Sequence, residues 1–275
     1  MNIPLFVKWA GGKKQLLKQF KDFIPKEIEY YCEPMVGGGA VLFYLLQTKN
    51  IKKVIIADIN DNLLTAYEVV RDNVNELIEE LKIHKRKYED NKKEYYYKAR
   101  DEYNHKKQSK VEKVARFIFL NKTCFNGLYR VNKKGEFNVP KGSYKNPSIV
   151  REEVLRKASK LLQNVEIKHQ SFEKTPETVT EDFFVYFDPP YRPINGTSFT
   201  NYTKLDFKKE DQEKLAEVYK ELDKKGCKVM LSNSDTELIN DLYKDFNVNI
   251  VKARRAINSN AKGRGKINEI VVVNY

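Results

Sequence analysis

The sequence predicts an α/β protein: a Rossmann-like, doubly wound sheet interrupted by an inserted, mainly helical segment. Two apolar runs, 54–58 and 183–187, are each read as a buried strand that ends at an aspartate or directly before one. A run of three glycines stands between a strand pattern and a helix pattern. Between residues 59 and 145 the strand patterns largely vanish. Together these observations favour an open sheet with one long insertion.

The elements alternate along the chain as an α/β fold requires. Residues 30–34 predict a strand, Gly37-Gly38-Gly39 a tight turn, and residues 40–47 a helix. A second predicted helix covers residues 209–225. The remaining predicted strands are 54–58, 165–168, 183–187, 228–232 and 270–273. Alternating strands and helices are typical of a mostly parallel sheet.

The insertion begins with helical patterns and becomes basic and rich in tyrosine. It ends in the turn signals Asn126-Gly127, Lys134-Gly135 and Pro140-Lys141-Gly142, which predict a hairpin or loop. We therefore expect one domain formed by residues 1–58 and 146–275, and a second formed by residues 59–145.

The charge of the chain favours a polyanionic partner. Its 275 residues include 51 Lys and Arg against 38 Asp and Glu, a formal net charge of +13. Residues 82–116 hold thirteen basic and six acidic residues, and residues 252–266 hold six basic residues and no acid. The alternative is a solvated, lysine-rich surface with no partner.

Several classes of protein are disfavoured. No apolar run reaches the roughly eighteen residues of a membrane span, and the first residues lack the features of a signal peptide, so we expect a cytoplasmic protein. Cys32, Cys124 and Cys227 are isolated, and there are only three histidines. Neither a disulfide framework nor a metal site is predicted.

Asp188-Pro189-Pro190-Tyr191 is the most informative segment. Two prolines remove two backbone donors and fix φ, so the chain leaves the preceding strand in a stiff turn rich in carbonyl oxygens. A carboxylate and an aromatic face lie beside that turn. Such a site suits a planar group that carries an amine. The alternative is an ordinary strand end followed by a proline turn.

The glycine turn and Asp58 suggest a nucleoside site. Gly37-Gly38-Gly39 allows close approach of backbone to a ligand, and Asp58 ends the next strand, where an acid can bind ribose hydroxyls. Leu42 stands where a dinucleotide fingerprint needs a third glycine, which disfavours a pyrophosphate cofactor and a nicotinamide dehydrogenase. The alternative is a glycine turn required only for packing.

Lys8-Trp9-Ala10-Gly11-Gly12-Lys13-Lys14 contains the only tryptophan. It lacks the spacing of a phosphate-binding loop. We interpret it as a turn that brings an indole and an ammonium to a ligand with an adenine and a carboxylate. The alternative is a core tryptophan beside a solvated lysine.

Eight sequence blocks follow one another along nearly the whole chain. They are Lys8-Trp9-Ala10-Gly11-Gly12-Lys13, Glu33-Pro34-Met35-Val36-Gly37-Gly38-Gly39, Ala57-Asp58-Ile59-Asn60, Asn126-Gly127-Leu128-Tyr129-Arg130, Gly135-Glu136-Phe137-Asn138-Val139-Pro140, Asp188-Pro189-Pro190-Tyr191, Ser232-Asn233-Ser234-Asp235-Thr236 and Arg254-Arg255-Ala256-Ile257-Asn258-Ser259-Asn260. Together, in this order, they closely resemble the Dam type of DNA adenine-N6 methyltransferase. The resemblance implies a methyltransferase sheet with a DNA-recognition insertion.

The resemblance also implies roles for individual residues. Asp188, Pro189, Pro190 and Tyr191 form the catalytic segment. The residues implied to bind S-adenosylmethionine are Trp9, Lys13, Glu33, Pro34, Gly37, Gly39, Asp58, Ser171, Phe172 and Asp188. Those implied to contact DNA are Lys8, Phe125, Asn126, Leu128, Arg130, Pro140 and Tyr144; Arg130 would read a base and Phe125 would act as a wedge beside a flipped base. No metal is implied.

The resulting hypothesis is methyl transfer to N6 of a flipped adenine in duplex DNA, within GATC. We expect a monomer associated with the nucleoid, and the sequence leaves open whether a partner restriction endonuclease exists. An RNA adenine methyltransferase and a non-catalytic GATC-binding module are the alternatives. An N4-cytosine enzyme is disfavoured because Ser more often replaces Asp188 in that group.

Overall fold

A computed structural model describes residues 2–191, 207–254 and 266–275. In these ranges the strands form one seven-stranded sheet, in the order β3-β2-β1-β4-β5-β7-β6. The strands are β1 (Tyr30–Glu33), β2 (Lys53–Asp58), β3 (Val165–His169), β4 (Phe183–Phe187), β5 (Lys228–Ser234), β6 (Asn247–Arg254) and β7 (Lys266–Val273).

Helices cover the sheet and form the insertion. They are α1 (Leu17–Phe20), α2 (Ala40–Thr48), α3 (Asp61–Asp72), α4 (Val74–Asp90), α5 (Lys92–His105), α6 (Lys110–Thr123), α7 (Glu152–Leu162), α8 (Thr175–Thr178), α9 (Lys209–Lys224) and α10 (Glu237–Leu242). None of the helices in the described parts of the chain combines the length and the apolar character that crossing a bilayer requires.

The direction of the strands determines where a site can form. Strands β1 to β5 are parallel, so their carboxyl ends meet at one edge of the sheet. The order of the chain reverses between β1 and β4, and ligands of open α/β sheets bind at such a reversal. Strand β7 is antiparallel to β5 and β6, so its beginning lies at the edge where the parallel strands end.

The predicted mixed α/β class and mostly parallel sheet are confirmed. All five residues of β4 are buried, as its unbroken apolar run predicts. Two differences concern the end of the chain. β6 was not predicted, and β7 begins at Lys266 rather than at residue 270.

Strand β6 is an edge strand whose burial alternates over part of its length, which explains why its sequence lacks a continuous apolar run. Val251 and Ala253 are buried, whereas the Ile250 side chain is 60% exposed. The side-chain amide of Gln19 makes two hydrogen bonds with the backbone of Lys252 in this strand. The Lys252 N–H donates to Gln19 Oε1, and Gln19 Nε2 donates to the Lys252 carbonyl, both at 2.9 Å.

The insertion is mainly helical, as predicted. Ser109 begins α6 with a capping box completed by Glu112, and ten residues of that helix are buried. Helix α3 packs against β2, β3 and α6, and one continuous core cluster extends from the sheet into the insertion. The division into residues 59–145 and the remainder stays a prediction.

The end of the insertion folds back on itself as a hairpin. Antiparallel bridges join Cys124 to Lys141 and Val131 to Phe137. The Phe125 N–H donates to the Pro140 carbonyl at 2.9 Å, so the two ends of this hairpin (residues 124–141) lie side by side.

Candidate active site

Asp188 directly follows β4 at the reversal of strand order, and its carboxylate is held through one oxygen. Lys13 Nζ lies 2.7 Å from Asp188 Oδ1, and the Ser232 hydroxyl donates to the same oxygen at 3.1 Å. Among the described residues no hydrogen bond reaches Asp188 Oδ2. The side chain is 20% exposed, so the carboxylate lies in a largely desolvated site.

Lys13 connects several parts of this site. Its side chain is 5% exposed, and Nζ donates to the Gly11 carbonyl at 2.6 Å and lies 4.3 Å from the centre of the Tyr191 ring. Burial raises the pKa of Asp188, while the charge of Lys13 and the hydrogen bonds from Lys13 and Ser232 act against that rise. These contacts favour the ionised carboxylate.

The rest of the Asp188–Tyr191 loop is fixed from two further elements. The fully buried Gln212 of α9 donates to the Pro190 carbonyl at 3.2 Å and accepts a hydrogen bond from Asn233 of β5 at 2.9 Å. The Tyr191 hydroxyl donates to Glu269 Oε2 of β7 at 2.8 Å. The loop is therefore attached to the sheet at several points.

Asp58 ends β2 and interacts with the glycine turn. Its Oδ2 accepts the Gly37 N–H at 3.2 Å, and its Oδ1 accepts the Asn60 N–H at 3.0 Å. Burial raises the pKa of Asp58 to about 6, and the backbone hydrogen bonds oppose this rise. Each oxygen retains acceptor capacity for a ligand hydroxyl.

The glycine turn is required both by its backbone conformation and by packing. Gly39 has φ +68°, and a Cβ there would lie 2.5 Å from the hydroxyl oxygen of Tyr67. A Cβ on Gly37 would lie 3.0 Å from Trp9, so the indole packs directly on the turn. Trp9 is half-buried and stacks on Tyr129, with ring centres 5.6 Å apart.

Glu33, at the end of β1, is a buried carboxyl between Asp58 and Asp188 in the strand order. It accepts a hydrogen bond of 2.7 Å from the Tyr31 hydroxyl. Burial raises the pKa of Glu33 to about 8, and the Asp188 carboxylate adds to the rise. Pro34, the next residue, is buried as well. Three acids therefore end neighbouring strands, and two of them, Glu33 and Asp188, interact electrostatically with the buried Lys13.

Ser171 and Phe172 follow β3, at the same edge of the sheet. The Ser171 hydroxyl accepts the Glu173 N–H at 3.4 Å and begins a short 3₁₀ turn. Phe172 is buried and lies 5.8 Å from Phe207, measured between ring centres. Their implied contact with a cofactor stays a prediction.

The implied DNA contacts gather on the hairpin 124–141 and beside it. Phe125 is 51% exposed, and Asn126, at φ +54°, is exposed too. Leu128 is half-buried and Pro140 is exposed. Lys8 reaches this surface with Nζ 4.1 Å from the centre of the Tyr144 ring.

Arg130 is exposed on the hairpin and oriented by Asn138. Arg130 Nε donates to Asn138 Oδ1 at 2.7 Å, and the Asn138 backbone accepts a longer bond of 3.4 Å from the same guanidinium. These two bonds orient the guanidinium, and its side away from Asn138 can still reach a ligand.

Two groups of candidate residues therefore exist, one at the sheet edge and one on the hairpin. Asn121 of α6 joins the N-terminal segment to the hairpin: it accepts the Lys8 N–H at 2.7 Å and donates to the carbonyls of Lys8 and Gly127 at 2.8 and 3.1 Å. The motif at residues 254–260 lies almost wholly outside the described residues.

Comparison with known proteins identifies the class of enzyme to which this geometry belongs. A family model described as D12 class N6 adenine-specific DNA methyltransferase matches residues 9–257. The chain belongs to this family. It is therefore an adenine-specific DNA methyltransferase, its substrate is DNA, and its family implies a methyl donor of the S-adenosylmethionine type.

Full-length relatives support the assignment to the D12 family. The type II methyltransferase M.MjaIII of Methanocaldococcus jannaschii is 52% identical, and the alignment covers 100% of both chains. The type II methyltransferase M1.LlaDCHI of Lactococcus lactis is 44% identical, over 100% of this chain and 96% of the relative. The DNA adenine methylase of Escherichia coli K12 is 36% identical, over 98% and 94%.

The charges of this methyltransferase site suit its implied donor. S-adenosylmethionine carries a positive sulfonium, a positive ammonium and a negative carboxylate. The site offers the acidic groups of Asp58 and Asp188 and the ammonium of Lys13, together with the largely protonated carboxyl of Glu33 as a hydrogen-bonding group. Because opposite charges in a desolvated site stabilise one another, the residues present fit this group.

Sequence reasoning assigned no role to Gln212, Asn138, Asn121 or Glu269. Asn121 is a polar residue in an apolar stretch of α6, and Glu269 is an acid beside the apolar run Ile270-Val271-Val272-Val273. Both departures from pattern are visible in the sequence. Neither departure indicates the distant partner, because Lys8 lies 113 residues from Asn121 and Tyr191 lies 78 residues from Glu269.

Proposed function

We propose that this enzyme binds duplex DNA at GATC, turns the target adenine out of the helix and methylates its N6, with S-adenosylmethionine as donor. One observation carries the proposal. Asp188 stands at the reversal of strand order with Oδ1 held by Lys13 and Ser232, while Oδ2 has no donor among the described residues. A planar base with an exocyclic amine suits that oxygen.

The amine of adenine is a poor nucleophile because its lone pair is delocalised into the ring. Asp188 Oδ2 and the Pro189 carbonyl would accept its two N–H bonds and favour a more pyramidal nitrogen, whose lone pair is available for reaction. The face of Tyr191 would stack on the base. No covalent intermediate with the protein is needed.

The donor would be held by the residues at the carboxyl ends of β1, β2 and β3 and by the N-terminal segment. Bound S-adenosylmethionine supplies an electrophilic methyl group on its sulfonium. Asp58 would accept hydrogen bonds from ribose hydroxyls, Lys13 would pair with a carboxylate, and Gly37 and Gly39 allow close approach of the backbone. The other proposed contacts are Trp9, Glu33, Pro34, Ser171 and Phe172.

The hairpin and its surroundings would bind the DNA. Removing a base from the stack costs a few kcal/mol. The exposed Phe125 would fill the space left in the duplex, and basic side chains bound to phosphates would offset the rest of the cost. The proposed contacts are Lys8, Phe125, Asn126, Leu128, Arg130, Pro140 and Tyr144.

The proposal is tested by expressing the enzyme in cells that lack adenine methylation and recovering a plasmid. We expect the plasmid to resist a GATC nuclease blocked by N6-methyladenine and to remain sensitive to a GATC nuclease indifferent to it. Cleavage by both nucleases would contradict GATC methylation. A labelled-methyl assay on DNA and on RNA of the same sequence separates the RNA alternative.

We also propose that the enzyme acts as a monomer and accompanies a restriction endonuclease. The names of two relatives, both type II methyltransferases, support the second part. The second part would be supported by a neighbouring gene that encodes an endonuclease with the same recognition sequence.

Binding of S-adenosylmethionine is expected to weaken as the pH falls from about 8 to about 5. The pKa of Asp58 is raised to about 6, so at about pH 5 roughly nine in ten of these carboxyls are protonated and the affinity drops about tenfold. Titration calorimetry at several pH values measures this loss of affinity.

The raised pKa of Asp58 affects the stability of the folded protein with the opposite sign. Between about pH 4 and 6 the folded chain retains a proton that the unfolded chain loses, so the free energy of unfolding falls as the pH rises.

Asp58→Asn is the matched control. This variant keeps the size of the side chain but does not titrate, so its weaker binding should not vary between about pH 5 and 7. Glu33 titrates higher, near 8, and accounts for any change above about pH 7. A wild-type affinity that stays constant from pH 5 to 7 would rule out ribose binding by an ionised Asp58.

A further inference from the structure

Glu269 stands beside the proposed base site although its place in the sequence is remote from it. It lies near the start of β7 and pairs in register with Ser234, the last residue of β5. Because β7 runs antiparallel to β5, this position lies at the edge where the parallel strands end. The fold thus adds a fourth acid to the side of the site opposite Asp58.

The carboxylate of Glu269 is buried and makes one hydrogen bond among the described residues. It is 8% exposed, and it accepts the Tyr191 hydroxyl at 2.8 Å. Burying a carboxylate costs free energy unless donors or opposite charges compensate. Here the compensating groups are Tyr191 and, at longer range, the ammonium of Lys13.

The Tyr191 ring is therefore located by contacts on two sides. The Lys13 ammonium lies 4.3 Å from its centre, and the hydroxyl is anchored to β7. A hydrogen bond at the far end of a phenol ring fixes its tilt, which a proline turn alone leaves free. The tilt determines whether a base stacked on the ring presents its amine to Asp188.

From this geometry we infer that Glu269 is a positioning residue for the methyl transfer. Its carboxylate anchors the Tyr191 hydroxyl. The ring face is thereby held where a base stacked on it reaches Asp188 and the Pro189 carbonyl. The inference rests on the proposed function, in which Tyr191 stacks on the target adenine.

Glu269→Ala and Tyr191→Phe remove the same hydrogen bond from its two ends. Each variant should lower kcat about tenfold, the scale of a hydrogen bond to a charged group, with the KM for duplex DNA within about twofold of wild type. The kcat of the double variant should be no lower than that of either single variant, because both substitutions remove the same hydrogen bond. Glu269→Gln keeps an acceptor oxygen and should recover kcat to within about threefold of wild type.

Further variants make each outcome interpretable. Glu237→Ala, an exposed acid of α10, should keep wild-type kcat, and thermal unfolding of every variant checks the fold. Multiplied losses in the double variant, full activity of Tyr191→Phe, or failure of Glu269→Gln to recover would each overturn the inference. Tyr191→Ala separates it from the proposed function. If Tyr191→Ala has normal kcat, the stacking role itself fails; if it is inactive while Glu269→Ala is normal, only the inference fails.

Discussion

Asp188→Ala is expected to lower methyl transfer to GATC duplexes by roughly a thousandfold, the upper range for removal of one preorganised group that stabilises developing charge. The free oxygen of Asp188 is the acceptor proposed for the adenine amine. Without it, the nitrogen lone pair stays delocalised. Single-turnover transfer of a labelled methyl group measures this loss directly.

Binding of the duplex should change by no more than about twofold in the same variant, because the proposed DNA contacts lie on the hairpin 124–141 and beside it, and not at β4. Asp188→Asn provides the closer control. It preserves the shape of the side chain and an acceptor for Ser232, yet it removes the charge that pairs with Lys13. We expect it to be inactive as well. Near-normal turnover of either variant in a folded protein would exclude the proposed role.

Arg130→Ala should reduce discrimination at one guanine of the recognition sequence by about 1–3 kcal/mol. Asn138 orients the guanidinium. The donors on the side away from Asn138 can make two parallel hydrogen bonds to guanine O6 and N7. Comparing kcat/KM on GATC and on duplexes substituted at each guanine measures the effect.

Two variants separate base reading from general attraction to DNA. Arg130→Lys keeps the charge but loses the planar fork, and should discriminate almost as poorly as the alanine variant. Lys134→Ala removes an exposed cation near the tip of the same hairpin and should weaken binding equally on all duplexes. If Arg130→Ala reduced kcat/KM by the same factor on cognate and substituted duplexes, the arginine would not be reading a base.

Much of the site could be predicted because it follows from local sequence. The apolar run before Asp188 and the run that ends at Asp58 each identify a buried strand with an acid at its end. Because the carboxyl ends of parallel strands meet at one edge of a sheet, both acids lie at the same edge. The glycine turn is equally local, because Gly39 requires a left-handed backbone conformation.

The remainder depends on contacts between distant parts of the chain. Whether β7 runs parallel or antiparallel to β5 decides which of its ends reaches the site, and nothing within residues 266–273 fixes that direction. Glu269 was missed for this reason. β6 was missed because an edge strand needs apolar residues on one face only, so its sequence carries a weaker signal.

The side chain of Gln19 occupies the open side of β6 in the way that an eighth strand would. Its amide offers one donor and one acceptor, spaced like a peptide group, to the backbone of Lys252. Exposed strand edges are templates for pairing with another chain, and Ile250 makes this edge partly apolar. A single glutamine thus occupies the backbone N–H and carbonyl of Lys252, the groups with which a strand from a second molecule would pair at this position of β6.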